Sequence, residues 1–197
     1  MPVMIKALGY HSHKGGKAAK GLSRAKDHLK YLEHRKVHEF KPQGFDDSRD
    51  GVSRAEFVQK MEAQPDRGVI AHKLVFSLSQ DERDRLGINL KTLVRETMKT
   101  WGSAIGRGLS WIGFQHEDKG HPHVHVVVAG YAEGKQVGVY EKDLHNLREF
   151  AEREKGRQAE LHRTLPERGG LERSAREEAS RLHTLVKDLE RDLGRGR

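Results

Sequence analysis

The stretch WIGFQHEDKGHPHVHVVVA, residues 111–129, has the pattern of a β-hairpin. An apolar run ends at His116, a polar turn follows, and a second run carries three histidines into a row of valines. Because successive side chains of a strand point to opposite faces, His121, His123 and His125 share one face of the second strand. The alternate valines fill the other face, so the pattern predicts one histidine-lined face and one buried face.

Three histidines on one strand face are typical of a metal site. A lone strand histidine is usually a surface or hydrogen-bonded residue, whereas neighbours ~7 Å apart on one face can share an ion. In an antiparallel pair the turn places His116 beside His123 and His125, which gives three nitrogens with open coordination positions, as in catalytic metal sites. The histidine nearest the turn, His121, is the least certain ligand. Two acidic residues could orient an imidazole or touch the metal themselves: Glu117 and Asp118.

Composition predicts a protein with an anionic partner. The 197 residues suffice for one domain with a sizeable core plus an appendage, and 34% of them are charged. Lysine and arginine number 37 against 29 acidic residues, and the formal charge of +8 favours polyanions without identifying one. The absence of cysteine excludes disulfides and thiolate metal sites. No apolar stretch approaches ~20 residues and no signal peptide is evident, so we expect a soluble, cytoplasmic protein.

Short apolar runs predict the remaining strands. They lie near residues 2–10, 70–78 and 136–140, and residues 36–52 between them are predicted to be a loop. His72 could be an additional site residue, although a single strand histidine is more often structural. Strands and helices follow one another in an order that predicts an α+β fold, an antiparallel sheet with helices packed on its faces.

Capping signals and apolar periodicity predict the helices. One begins at Ser23, two follow capping-box sequences at Ser53 and Ser79, and one covers residues 141–160. After a break at 166–170, a charged helix is predicted, with a solvated face or contacts to DNA or a partner helix. The residues expected to face the core are Ala25, Leu29 and Leu32, then Leu90, Leu93, Val94, Thr97, Met98 and Trp101, and finally Leu144, Leu147, Phe150 and Ala151.

Tyr31 is a candidate nucleophile on the first predicted helix. At ~100° per residue its side chain falls off the buried stripe and beside three basic residues, Arg24, His28 and Arg35. A tyrosine flanked by cations at the edge of a buried face suits this role. Local sequence supports a second interpretation at least as well, in which Tyr31 is an amphipathic residue that closes the rim of the core.

These residues resemble the relaxases, or mobilisation endonucleases, of conjugative plasmids within the HUH nickase superfamily. The motif is His116-Glu117-Asp118 followed by His123-Val124-His125 and the valine run. The resemblance implies that His116, His123 and His125 are the metal ligands, and it leaves His121 outside the ligand set. From the hairpin pattern, Asp118 is expected to support the ligands from outside, as His121 then would. It covers residues 1–155, a relaxase domain, and leaves residues 156–197 as a charged helical extension of a small relaxase or of a fragment of a longer one.

The resemblance also implies roles for residues outside the hairpin. Relaxases of this branch place a catalytic tyrosine on an early helix in a basic context similar to that of Tyr31. They carry a strand like residues 73–77, whose serine, here Ser77, is associated with holding DNA near the nick. Because one branch uses a histidine nucleophile, other candidates remain: His28, His11, His13 and Tyr10.

The function implied by the resemblance is nicking and rejoining of one DNA strand at a plasmid transfer origin through a 5′-phosphotyrosyl intermediate. The family is credited with Mg²⁺ or Mn²⁺, whereas three nitrogen ligands also suit Zn²⁺, Ni²⁺ or Co²⁺. Expected partners are single-stranded DNA and accessory DNA-binding and coupling proteins. The residues expected to hold DNA phosphates are Lys14, Lys17, Lys20, Arg24 and Arg35.

Two alternatives share parts of this interpretation. A rolling-circle replication initiator of the same superfamily would use the same chemistry, although the position of Tyr31 before the histidine motif favours a relaxase. A DNA-binding protein without catalytic activity would use the histidines for a structural metal.

Overall fold

A six-stranded antiparallel sheet forms the centre of the computed structural model, which describes residues 2–13, 18–35, 42–118 and 120–164. The strands are β1 (Met4–Ser12), β2 (Gly44–Phe45), β3 (Asp50–Val52), β4 (Val69–Ser77), β5 (Trp111–Asp118), β6 (His121–Ala129), β7 (Tyr131–Ala132) and β8 (Lys135–Gln136). The helices are α1 (Ala18–His34), α2 (Arg54–Glu62), α3 (Gln80–Leu86), α4 (Leu90–Ala104) and α5 (Glu141–Thr164).

The strand order in the large sheet is β1-β4-β6-β5-β2-β3, and β7 and β8 form a separate pair. Strands β4, β5 and β6 form the middle of the sheet, and every pairing in the large sheet is antiparallel. The predicted α+β class with helices against an antiparallel sheet is confirmed. The β5–β6 hairpin is the one predicted from the histidine-rich stretch.

Two hydrophobic clusters lie on opposite faces of this sheet. One joins Leu74, Val126 and their neighbours to the inner stripes of α4 and α5. The other joins Phe114, Val127 and their neighbours to α1 and α2. We call the side covered by α1 and α2 the α1 face. Almost all residues predicted to face the core are buried on one face of the sheet or the other, and Phe150 packs partly buried against the first cluster.

Polar caps begin three of the helices. The hydroxyl oxygens of Ser53 and Ser79 accept hydrogen bonds from the third residue beyond them, as the capping-box sequences predict. Asn89 does the same for Thr92 and starts α4 after a left-handed Gly87 ends α3. Gly87 therefore marks the boundary between these two helices.

Three element boundaries differ from the sequence predictions. Helix α1 begins at Ala18 rather than Ser23, and Gly21 lies in the helix close to β1, where an added Cβ would be 2.3 Å from the Ser12 carbonyl oxygen. Residues 36–52 are not all loop, because β2 and β3 fall within them. Phe45 of β2 is buried edge-on against Trp111, with ring centroids 5.7 Å apart, so its packing outweighs the polar sequence around it. The strand predicted near 136–140 ends at Gln136.

Strand β1 contains a bulge before Tyr10. Ala7 pairs with Leu74 and Tyr10 with His72, so β1 has one more residue than β4 between these two pairs. Gly9 within the bulge has φ +92°, a conformation that glycine adopts easily. The bulge turns His11, opposite Ala71, toward the α1 face.

Contacts divide the chain into a compact unit of residues 1–159 and a second unit of residues 160–197, of which residues 160–164 are described. The predicted break at 166–170 and the helix after it lie outside the described residues. None of the helices in the described ranges combines the length and apolar character needed to cross a bilayer. The division into a domain of residues 1–155 and an extension stays a prediction.

Candidate functional site

His116, His123 and His125 meet on the α1 face of the β5–β6 hairpin. His116 pairs directly with His123, and His125 lies opposite Phe114. Phe114 belongs to the hydrophobic cluster under α1 and α2, so strand alternation places all three histidines on that side. Their ring centroids are 5.0–5.4 Å apart. The hairpin therefore brings together the three residues predicted as ligands.

The spacing of these rings fits a shared cation. Imidazoles bound tetrahedrally at a metal–nitrogen distance of about 2.1 Å have ring centres roughly 5 Å apart. Within the described ranges, however, no three His, Asp or Glu side chains hold their donor atoms in position for a metal ion. Nδ1 of His125 is buried and lacks a hydrogen-bond partner among the described residues. The residue types and their spacing suit a metal, and rotation of the imidazoles is needed to aim their nitrogens at one point.

The protonation of the cluster also suits a cation. Burial, followed by the influence of His123 and His116, lowers the pKa of His125 to about 3. His125 is therefore neutral near pH 7 and keeps a lone pair for coordination. Nδ1 of His123 donates to the carbonyl oxygen of His121 at 3.0 Å, so Nε2 is the nitrogen of that ring left to face a ligand.

One acidic residue of the hairpin, Glu117, does not approach the histidines as predicted. Glu117 follows His116 and points to the opposite face, where it pairs with Arg83 and accepts a hydrogen bond from Gln115. Strand alternation explains this outcome, because adjacent side chains cannot share a face. Asp118 pairs with His121 in the ladder, and its side chain lies outside the described part of the chain. The contact of His121 with the cluster runs through its backbone carbonyl.

Helix α1 carries Tyr31 beside this cluster. His28 lies one turn before Tyr31 and Arg35 one turn after it, and the charges of both depress the pKa of His125. The backbone N–H of Arg35 donates to the Tyr31 carbonyl at 2.8 Å. The Tyr31 side chain is 57% exposed, and among the described residues it makes no hydrogen bond or ring contact with the histidines. The phenol is thus accessible to a ligand near the site.

The other candidate nucleophiles differ in their placement. His11 and His28 lie on the α1 face with ring centroids 5.9 Å apart. Tyr10 packs against His72 on the opposite face, with centroids 6.1 Å apart, so the sheet separates it from the cluster. His13 follows β1 and is partly buried, and its backbone N–H donates to the Gly68 carbonyl.

The residues predicted to hold DNA are spread along α1 and β4. Lys20 and Arg24 are exposed on α1, and Arg24 lies close enough to influence the pKa of His11. Ser77 is buried opposite His123, and its hydroxyl donates to the Pro122 carbonyl at 3.3 Å. Lys14 and Lys17 lie outside the described residues. Their binding roles stay predictions.

His72 and Lys73 are neighbours on β4 and lie on opposite faces of the sheet. His72 is structural, because its Nε2 donates to the Val137 carbonyl at 2.8 Å on the face away from the cluster. Lys73, the next residue, lies on the α1 face opposite Val127. Strand alternation is the sequence signal that could have identified this position, since Lys73, Val75 and Ser77 share one face.

Comparisons with known proteins identify the family of this chain. The family described as "Relaxase: MobA/VirD2-like, nuclease domain" matches residues 31–157, well over half of the chain. The chain belongs to this family of relaxase nuclease domains. A solved structure titled "Molecular Basis of Vancomycin Resistance Transfer in Staphylococcus aureus" aligns with a TM-score of 0.46 and 12% identity, over 82% of this chain and 94% of that one. A search of curated protein sequences gave no match.

Family membership supports a DNA-nicking relaxase role in conjugative transfer or mobilisation. Nuclease domains of this family generally depend on a metal, and they act on single-stranded DNA at an origin.

Proposed function

We propose that this protein nicks and rejoins one DNA strand at a plasmid transfer origin, with Tyr31 as the nucleophile. The observation that carries the proposal is the placement of Tyr31 on α1 between His28 and Arg35, both of which act electrostatically on His125. The proposed ligands of a divalent metal are His116, His123 and His125, whose ring spacing fits one ion. Mg²⁺ or Mn²⁺ is the expected physiological ion, and Zn²⁺, Ni²⁺ or Co²⁺ also suit nitrogen ligands.

The chemistry requires positive charge around the scissile phosphate. A phosphodiester resists attack because it is anionic and because an alkoxide is a poor leaving group. A divalent cation at the three histidines supplies charge that offsets the charge developing in the transition state. Arg24 on α1 and Arg35, the residue after α1, flank Tyr31 in sequence and supply further charge from the protein itself.

In the proposed reaction the phenolic oxygen of Tyr31 attacks the phosphorus in line. The bond between phosphorus and the 3′ oxygen breaks, and that oxygen takes up a proton to become a free 3′-hydroxyl. The product is a 5′-phosphotyrosyl protein. Its new bond between phosphorus and the Tyr31 oxygen replaces the broken bond to the 3′ oxygen, so the number of phosphate ester bonds is unchanged. A 3′-hydroxyl can reverse the step, so one site serves both nicking and rejoining.

Single-stranded DNA is the proposed substrate because a base-paired phosphate cannot easily bend into a site beside a helix and a sheet. The positive side chains of α1 and β4 attract the backbone, as in other proteins that bind single strands. Accessory DNA-binding and coupling proteins are proposed as further partners.

A covalent capture experiment tests the proposal and identifies the origin sequence at the same time. The full chain is incubated with Mn²⁺ and a pool of random-sequence single-stranded oligonucleotides, and SDS-resistant protein–DNA adducts are isolated and sequenced. We expect adducts on one sequence, joined through Tyr31. In Tyr31→Phe the adduct should fall by at least ~10³-fold while DNA binding is retained. Tyr10→Phe is the control, because Tyr10 lies on the other face.

The outcome separates the competing interpretations. Full adduct formation by Tyr31→Phe would exclude Tyr31, and an adduct that is lost in His28→Gln and retained in Tyr31→Phe would assign a histidine nucleophile. Failure to form an adduct with any sequence in the pool would favour a DNA-binding protein with a structural metal.

A further inference from the structure

Lys73 is a partly buried cation on the α1 face, close to the histidine cluster. It pairs with Val127 across the β4–β6 ladder, and Val75, two residues further on, pairs with His125. Diagonal neighbours across a ladder lie about 7–8 Å apart between Cα atoms. The Lys73 side chain therefore begins next to the proposed metal site and on the same face.

Two histidines lie near Lys73. His11 is opposite Ala71, so it occupies the same face two residues along β4, and its ring contacts that of His28 on α1. The positive charge of Lys73 lowers the pKa of both imidazoles, in addition to the effect of burial. Strand β1, strand β4 and helix α1 thus each direct one nitrogen-bearing side chain to a common region.

The polar groups in this region have few partners of their own. No carboxylate among the described residues lies within ion-pair distance of Lys73 Nζ. Nε2 of His11 is buried and has no hydrogen-bond partner in the same part of the chain. Several other partly buried cations in the described part of the chain are paired, as Lys155 is with Glu82 and Glu152. A partly buried charge without a counterion is costly, and an anionic ligand would offset that cost.

We propose that Lys73, His11 and His28 form a binding site for a phosphate of the DNA strand adjacent to the scissile phosphate. This inference rests on one part of the proposed function, namely that single-stranded DNA binds across the α1 face. An ammonium and two imidazoles close to one another suit the several oxygens of a phosphate, which accept hydrogen bonds in different directions. The site would hold the strand beside Tyr31 and does not take part in bond breaking.

The salt dependence of DNA binding tests this site directly. Each phosphate contact to a single strand contributes about 0.7 to the slope of log K against log salt concentration. The probe is a fluorescent oligo-dT strand, and its binding to the full chain is followed by anisotropy at several salt concentrations. Lys73→Met removes the charge and keeps the length of the side chain. Lys99→Met is the matched control, because Lys99 is exposed on α4, on the other side of the sheet.

We expect Lys73→Met to weaken binding and to reduce the slope by about 0.7, whereas Lys99→Met leaves the slope unchanged and Lys73→Arg keeps most of it. Thermal melting of each variant shows whether it is folded. Equal slopes for Lys73→Met and Lys99→Met would overturn the proposal, and so would weaker binding at an unchanged slope, which indicates lost packing. This readout does not involve cleavage, so it can fail or succeed independently of Tyr31.

Discussion

His116 and His123 lie directly opposite each other across the β5–β6 ladder, with ring centroids 5.4 Å apart and planes 13° from parallel. His116 is completely buried, whereas His123 is partly exposed. A shift of one residue in the pairing would send one of these rings to the other face of the sheet. The register of the hairpin therefore determines whether the imidazoles can share a cation.

Replacing His116 with alanine should weaken metal binding by more than ~100-fold, because one of three proposed ligands is lost. Calorimetric titration with Mn²⁺ or Zn²⁺ measures the change. His121→Ala is the control, because it removes an exposed imidazole from the same strand face and keeps the carbonyl that accepts from His123. Equal affinity in the two variants would remove His116 from the ligand set.

Chelation should stop the covalent reaction. With EDTA in excess, we expect no SDS-resistant adduct on the captured origin sequence, and we expect added Mn²⁺ to restore it. Binding of oligo-dT should persist in EDTA, since Arg24, Lys20 and Lys73 do not depend on the metal for their charge. Undiminished adduct formation in EDTA would contradict the proposed metal dependence.

Acid should destabilise the metal-free protein through His11. Burial, then the charges of Lys73, His28 and Arg24, lower the pKa of His11 from 6.5 to about 4. Between these values the unfolded chain binds more protons than the folded one, so stability falls as the pH drops from 6.5 toward 4 and the loss is complete below 4. After allowance for solvent screening, we expect about 1–2 kcal/mol.

Urea unfolding at several pH values tests this effect in comparison with His11→Gln. The variant should lose less stability than the wild type over the same interval, because glutamine does not titrate. Carboxylates that titrate in this range affect both proteins alike, so the difference isolates His11. Identical pH profiles would show that the pKa of His11 is not depressed.

Gly21→Ala should disturb the packing of α1 against the sheet. An added Cβ would lie 2.3 Å from the Ser12 carbonyl oxygen and 2.8 Å from Ile70 Cδ1, so the helix must move away from the sheet. We expect a loss of about 1–3 kcal/mol in the free energy of unfolding. Adduct formation should fall, because α1 carries Tyr31, while metal affinity should stay within a few-fold of the wild-type value.

Gly156→Ala provides the comparison for that variant. Gly156 lies in α5, and an added Cβ has no atom within 4 Å, so alanine should stabilise the protein by about 0.5–1 kcal/mol. Normal adduct formation in a destabilised Gly21→Ala would show that the position of α1 against β1 does not matter for the reaction.

Periodic and capped segments were predictable from sequence because their signals are local. The stripe from Leu90 to Trp101 repeats at helical spacing, and Ser53 and Ser79 cap helices through residues three positions away. Strands β2 and β3 were missed because two or three residues carry no periodicity. Phe45 is fixed by distant partners, among them Trp111 and the guanidinium of Arg95.

The part of the candidate site that lies on the β5–β6 hairpin was predictable from sequence. Alternation and an antiparallel turn suffice to bring His116, His123 and His125 together. The same rule excludes Glu117 from the cluster, so its predicted contact with an imidazole or the metal was wrong. The proximity of His28 and Arg35 to His125 depends on how α1 packs across β1 and β4, which no local pattern encodes.

The bulge at Gly9 determines which aromatic side chain of β1 lies beneath α1. If Gly9 adopted ordinary extended geometry and pairing continued without the extra residue, Tyr10 would move opposite Ala71 and its hydroxyl would enter the region now occupied by His11. The nickase would then present two phenols to one strand of DNA. A single left-handed glycine thus keeps the Tyr10 hydroxyl away from the proposed phosphate site.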